Sequence, residues 1–109
     1  MVLEKGKVVG WQRFANYAQN FLADIAIVKG NLQDAERLLQ SGLGEAKSNS
    51  EKRRIAHYQA TYARLERAKG NFAQACEWAD KALEGFKVEG MAWDAEDMRS
   101  LLEELTPSQ

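Results

Sequence analysis

Lys29-Gly30-Asn31-Leu32 returns 40 residues later as Lys69-Gly70-Asn71-Phe72, and that pair of stretches decides the fold. The same shift lays Gln19 on Gln59, Ala23 on Ala63, Ala35 on Ala75, Leu43 on Leu83 and Lys47 on Lys87. A partial third copy follows, in which Ile55, Tyr58, Tyr62 and Leu65 map onto Ala95, Met98, Leu102 and Leu105. Self-similarity at a fixed period of this size is the mark of a helical repeat array.

Within each copy the apolar residues recur at intervals of three and four, the spacing of one face of an α-helix. The first copy carries Phe14, Ala18, Phe21, Leu22, Ile25 and Val28, then Leu32, Ala35, Leu38, Leu39, Leu43 and Ala46. The second carries Ile55, Tyr58, Tyr62, Leu65 and Ala68, then Phe72, Ala75, Trp78, Ala79, Ala82, Leu83 and Phe86, and a fifth helix spans Met91 to Leu105. Gly30 and Gly70 suit the left-handed residue that closes a helix, and the Asn after each is placed to cap the next. Asn71 with Gln74, and Ser48 with Glu51, have capping-box spacing. Turns this short force consecutive helices to run antiparallel. The expectation is an all-α domain over 1–109, with about five helices in two and a half stacked hairpins: repeats at about 11–48 and 51–88, a half repeat at 91–105 and a polar tail at 106–109.

Composition bounds the kind of work such a domain does. Of 109 residues 45% are hydrophobic and 28% charged, and 15 basic side chains face 16 acidic ones. That describes one small folded domain without the basic excess that sequence-independent nucleic-acid binding requires. No stretch is apolar enough for a membrane span, and Met1-Val2-Leu3-Glu4-Lys5 has an acid where a signal peptide needs an apolar run, so a cytoplasmic protein is expected. A single cysteine, Cys76, makes neither an internal disulfide nor a zinc site.

The residues resemble the tetratricopeptide repeat. Its small residue in the first helix, turn Gly-Asn, following aromatic or Leu, Ala three further on and closing Ala-Leu are matched by Ala63, Gly70-Asn71, Phe72, Ala75 and Ala82-Leu83. In the earlier copy they are matched by Ala23, Gly30-Asn31, Leu32, Ala35 and Gly42-Leu43. The period exceeds the family's usual 34 residues. About six residues are added around Glu45 to Glu51, and the family's closing proline is missing. Long-period copies of this kind are similar to the repeat arms of signalling NTPases with a nucleotide-binding module. The resemblance implies a right-handed solenoid and a protein-interaction scaffold. It implies a concave face built from the first helix of each hairpin, which here places Tyr17, Asn20, Asp24, Ile27, His57, Arg64, Arg67 and Asp97 against a protein or peptide partner, with Ala60, Ser100 and Glu104 alongside. Asp24 and Ala60 stand where a clamp for a peptide's terminal carboxylate needs Asn and a cation, so binding of chaperone tails is not expected.

Catalytic constellations are not found in the sequence. Gly42-Leu43-Gly44-Glu45-Ala46-Lys47-Ser48 echoes a phosphate-binding loop, but Ser41 and Ala46 occupy the required glycine positions and the segment ends a helix instead of leaving a strand. His57 has Arg53, Arg54, Ala60 and Thr61 as helical neighbours, with no carboxylate to orient the ring and two cations to depress its pKa. Cys76 has no base at helical spacing and reads as packed and inert. Glu103 and Glu104 diverge on a helix. No catalytic residue, metal ligand or cofactor is expected, and neither a nucleic-acid nor a membrane partner.

Trp78 and Phe72 fall on the apolar stripe and are expected in the core, while Trp11 and Trp93 are expected at the ends of the stack. Charge is unevenly spread. Glu45 to Lys69 holds seven basic side chains against three acids, and Glu89 to Glu104 six acids against Arg99. Such polarity favours head-to-tail or two-fold association. On the fifth helix Met98, Leu101, Leu102 and Leu105, with Ala95, cover more than one stripe, so self-association in a homodimer or burial under flanking repeats of a longer array is expected there. The leading functional expectation is a non-catalytic interaction scaffold; the other is a sensor or regulatory arm of a multidomain signalling NTPase or transcriptional regulator.

Overall fold

The computed structural model describes residues 18–106. In that span α1 covers 18–29, α2 Leu32–Ser48, α3 Lys52–Lys69, α4 Phe72–Val88 and α5 Ala92–Leu105. Among the described residues there is no strand. Tyr17, Trp11, the start of the first repeat and tail residues 107–109 lie outside them.

The turns explain the stacking. Positive φ occurs at Gly30 (84°), Ser50 (54°), Gly70 (84°) and Gly90 (71°), so a left-handed residue closes a helix every 20 residues. The residue after each one donates its N–H five positions back: Asn31 to the Ala26 carbonyl (2.8 Å), Glu51 to Ala46 (2.9 Å), Asn71 to Glu66 (2.9 Å) and Met91 to Phe86 (2.8 Å). This is the Schellman closure, which satisfies carbonyls that a helix end leaves open. The hairpin period is thus two equal half-periods joined by the same turn. The residues added around Glu45 to Glu51 do not form a loop, because Glu45 to Ser48 continue α2.

Side-chain capping is where the sequence reading needs correction. Neither Asn31, Glu51 nor Asn71 makes a side-chain cap bond at the helix it precedes. Ser48 is the last residue of α2, so it cannot form a capping box for α3. The backbone closure leaves the Asn71 side chain free for another use, and its Nδ2 donates to Glu66 Oε2 at 2.9 Å.

Two cores result, with α3 between them. Tyr58, Tyr62 and Leu65 of α3 join Ala23 and Ala26 of α1 and Ala35, Leu39, Leu43 and Ala46 of α2 in the first core. Ala56, Ala60 and Ala63, on the other side of α3, join Ala79, Ala82 and Phe86 of α4 and Ala95, Met98 and Leu101 of α5 in the second. Trp78 is half-buried against both cores, stacked on Tyr62 with ring centroids 4.4 Å apart. Gly42 is where α2 makes room for Tyr58: a Cβ there would lie 2.3 Å from the ring.

Several apolar residues are not where the stripes put them. Phe72 is exposed, as are Phe21, Leu22 and Val28 of α1, whose buried side is Ala23 and Ala26. Met98 and Leu101 are buried in the second core, so they are not available as a self-association surface; Leu102 and Leu105 are half-buried against the same core. The outer side of α5 is polar. Glu96, Ser100 and Glu103 are exposed and stand one repeat beyond Ala56, Ala60 and Ala63, the positions with which α3 receives α5. The outward side of α5 is therefore mostly polar, with the exposed Trp93 at its start, and the apolar surface expected from Met98 and Leu101 is buried instead.

Candidate functional site

Because the odd-numbered helices carry equivalent residues, α1, α3 and α5 bring one repeat position to a common face. Asp24, Arg64 and Glu104 are separated by 40 residues each. Arg64 donates through Nε to Asp24 Oδ1 (2.9 Å) and through Nη2 to Asp24 Oδ2 (3.0 Å), a two-pronged bond from α3 to α1. The same Nη2 reaches Thr61 Oγ1 (3.0 Å), whose hydroxyl donates to the His57 carbonyl (3.2 Å). Arg67 Nη1 donates to Glu104 Oε2 at 2.8 Å and ties α3 to α5. These pairs are partly solvated, so each contributes at most about 1 kcal/mol to stability and leaves the groups able to meet a ligand.

His57 sits at the α3–α5 seam, its ring edge against Phe86 with centroids 5.2 Å apart. Burial holds its pKa below 6.5, with Asp94 pulling it up and Arg64 pushing it down. The carboxylate that the sequence did not place near His57 comes from α5. Arg53 and Arg54 act elsewhere: Arg53 Nε is 3.7 Å from Glu89, and the buried Arg54 pairs with Glu51. Because the folded state prefers neutral His57, the unfolded chain takes up its proton first as pH drops below 6.5, and stability falls across the window from 6.5 down to the folded pKa. Urea midpoints are expected to decrease between pH 7.5 and 5.5, and His57→Gln should flatten that slope; an unchanged slope in the variant would contradict the assignment.

The remaining predicted positions are scattered in character. Asn20 is half-buried, and its buried Oδ1 has no hydrogen-bond partner among the described residues. Ile27 is half-buried against the first core, Ala60 is buried in the second, and Asp97 and Ser100 are exposed. Tyr17 lies outside the described residues. The face thus unites Asp24 with Arg64 and Arg67 with Glu104, and it adds Thr61 and Asp94, which sequence reasoning missed. Thr61 was visible in principle, four residues after His57 and three before Arg64. Asp94 was not, because its proximity depends on how α5 lies across α3.

The packing also changes the meaning of the charge blocks. The basic stretch on α3 and the acidic stretch on α5 are linked within one chain by Arg67–Glu104, and Arg53 at the start of α3 lies near Glu89 in the turn before α5. In these two pairs the opposite charges offset each other inside the chain. At the α3–α4 turn Lys69 bonds Glu36 of α2 (2.5 Å) and lies 3.6 Å from Glu66, and the Glu36 bond raises its pKa.

Two other surfaces compete with this face. A cleft of about 460 Å³ between α3 and α4 is lined by Ile55, Ala56, Gln59, Lys81, Gly85 and Val88, with Lys52, Glu84 and Glu89 at its edges. A smaller recess of about 310 Å³ lies at Ser50 to Arg54 beside Glu89. The segment Gly42 to Ser48 is helical, within α2. Cys76 is a half-buried free thiol. Among the described residues no three His, Cys, Asp or Glu side chains are grouped to hold a metal ion, and no helix is long and apolar enough to cross a membrane. Compared with protein-family models, curated proteins and solved structures, the chain gives no match to any of the three.

Proposed function

We propose that this chain is a non-catalytic scaffold of the tetratricopeptide type that binds a peptide or protein segment across the face formed by α1, α3 and α5. The observation that carries the reading is the row Asn20, Asp24, Arg64, Arg67 and Glu104, in which two partly solvated guanidinium groups of α3 bridge to carboxylates of α1 and α5 along one face. Guanidinium groups recognise carboxylates and carbonyls in a fork geometry, and Asn offers both donor and acceptor to an extended backbone. Helical repeat stacks use such continuous faces for extended ligands.

The test is a selection from a random-peptide display library against the full chain, followed by affinity measurement on Arg64→Ala/Arg67→Ala. Peptides bearing an acidic residue are expected to be enriched, and the double variant should bind them at least about tenfold more weakly, the loss of one to two charge-assisted bonds. Circular dichroism should report an unchanged fold. Equal binding by the variant would overturn the reading.

A further inference from the structure

Two apolar faces run along α1, and the described residues cover only one. Ala23 and Ala26 are buried in the first core, while Phe21, Leu22 and Val28 are 65%, 52% and 88% exposed and Ile25 is half-buried. One repeat later, Phe21, Leu22 and Ile25 correspond to Thr61, Tyr62 and Leu65; two repeats later, to Leu101, Leu102 and Leu105. In α3 those positions are buried, with Tyr62 and Leu65 in the core shared with α1 and α2. In α5 they pack into the core shared with α3 and α4. Phe21, Leu22 and Ile25 therefore continue, at the first helix, the interface through which each later odd-numbered helix seats on the helices before it, and Val28, whose equivalent Ala68 is exposed, extends the row beyond it. A contiguous apolar row of this kind marks a contact surface.

We propose that α1 pairs with α1 of a second copy, parallel to it, about a two-fold axis running along the seam. Phe21, Ile25 and Val28 have the four-then-three spacing of the seam of a parallel two-stranded helix pair. Asp24 and Lys29 flank that seam on opposite sides, five residues apart, which is the separation at which flanking charges meet across a parallel pair. Asp24 of one copy then faces Lys29 of the other, and the symmetry repeats the contact. Both Asp24 oxygens already accept from Arg64, and a carboxylate has further lone-pair sites for an ammonium. An antiparallel pair would instead set each flank against its own kind. The opposite end of the molecule presents Glu96, Ser100 and Glu103 beside the exposed Trp93, so it offers no apolar row to match Phe21, Ile25 and Val28 in a head-to-tail stack. Asp24 belongs both to the flank of this seam and to the peptide-binding row, whereas Phe21 and Val28 belong only to the seam, so substituting them tests the pairing apart from peptide binding.

The experiment is size-exclusion chromatography with light scattering on the full chain over a wide concentration range. The expected mass is that of two 12.3 kDa chains. Phe21→Glu/Val28→Glu, at exposed positions, should leave the circular dichroism spectrum unchanged and raise the dimer dissociation constant at least about 100-fold, whereas Trp93→Glu, at the exposed start of α5, should leave the dimer intact. Val28→Cys in a Cys76→Ser background should form a disulfide-linked dimer on oxidation, because a parallel pair puts the two copies of residue 28 together. A monomer at all concentrations, a dimer that survives Phe21→Glu/Val28→Glu, or a dimer that Val28→Cys fails to cross-link would each overturn the proposal.

Discussion

Replacing Phe86 by Ala is expected to lower the unfolding free energy by about 3–5 kcal/mol, a large fraction of the roughly 5–15 kcal/mol by which a domain of this size is stable. The ring is 1% exposed and is the largest side chain of the second core. Its surroundings make the upper part of that range appropriate. Ala56, Ala60, Ala79, Ala82 and Ala95 set the distances between α3, α4 and α5 by backbone-close contact, and none has a side chain that can swing into the void. A cavity left unfilled costs the lost transfer energy and the lost contacts together. The variant should also lift the His57 pKa towards 6.5, because the imidazole loses the ring that shields its edge. Urea unfolding checks the first, and NMR titration of the His57 ring protons the second. A loss below about 1 kcal/mol would show that the second core does not carry the stack.

Gly42→Ala is expected to have the next largest effect, and in a direction opposite to helix propensity. An exposed helical Gly gains about 0.5–1 kcal/mol when changed to Ala. Here the added methyl would meet Tyr58 Cζ, Cε1 and Oη at 2.3 to 2.4 Å, and Tyr58 is fully buried and has nowhere to move. Overpacking of this kind costs about 1–3 kcal/mol, so a net loss is expected. The repeat supplies its own remedy. One period later the same two positions hold Ala82 and Met98, both buried in the second core. Gly42→Ala/Tyr58→Met transplants that pair into the first repeat, and the double variant should be more stable than Gly42→Ala alone, with a favourable coupling energy of the order of 1 kcal/mol. Additive losses would mean that the two positions do not contact each other as described. The same burial pushes the Tyr58 hydroxyl pKa up to about 12.

Much of this architecture was legible because it is periodic. The 40-residue repeat, the helical spacing and the glycines at the turns gave the number of helices and their antiparallel order. What was not legible was which side of an amphipathic helix is buried. In α1 both sides are apolar, and the small side, Ala23 and Ala26, is the one that lets α1 approach its neighbours closely. Hydrophobicity alone favours the large side, Phe21, Leu22 and Val28, which remains exposed. A similar ambiguity misled the reading of α5. Met98 and Leu101 are apolar because they fill the second core, and the polar character of the outer positions Glu96, Ser100 and Glu103 stands out only when they are compared with their equivalents on α3.

The caps failed for a different reason. Ser, Asn and Glu at capping spacing are sufficient only when the preceding helix leaves the turn open, and here four Schellman closures fix the backbone before a side chain is needed. At the candidate site, the family resemblance placed Asp24, Arg64, Arg67 and Glu104 on one face but did not give their pairing. Pairing of Arg67 with Glu104 and the approach of Asp94 to His57 depend on the packing of α5 across α3, which no local pattern encodes.

The central claim is that ligands meet the chain on the face of α1, α3 and α5. The measurement that tests it most directly is amide and side-chain chemical-shift mapping by NMR during titration with a peptide selected on the full chain. The account predicts that the perturbed residues centre on Asn20, Asp24, Arg64, Arg67 and Glu104. A perturbation pattern centred on Ile55, Lys81 and Val88, in the cleft between α3 and α4, would contradict it.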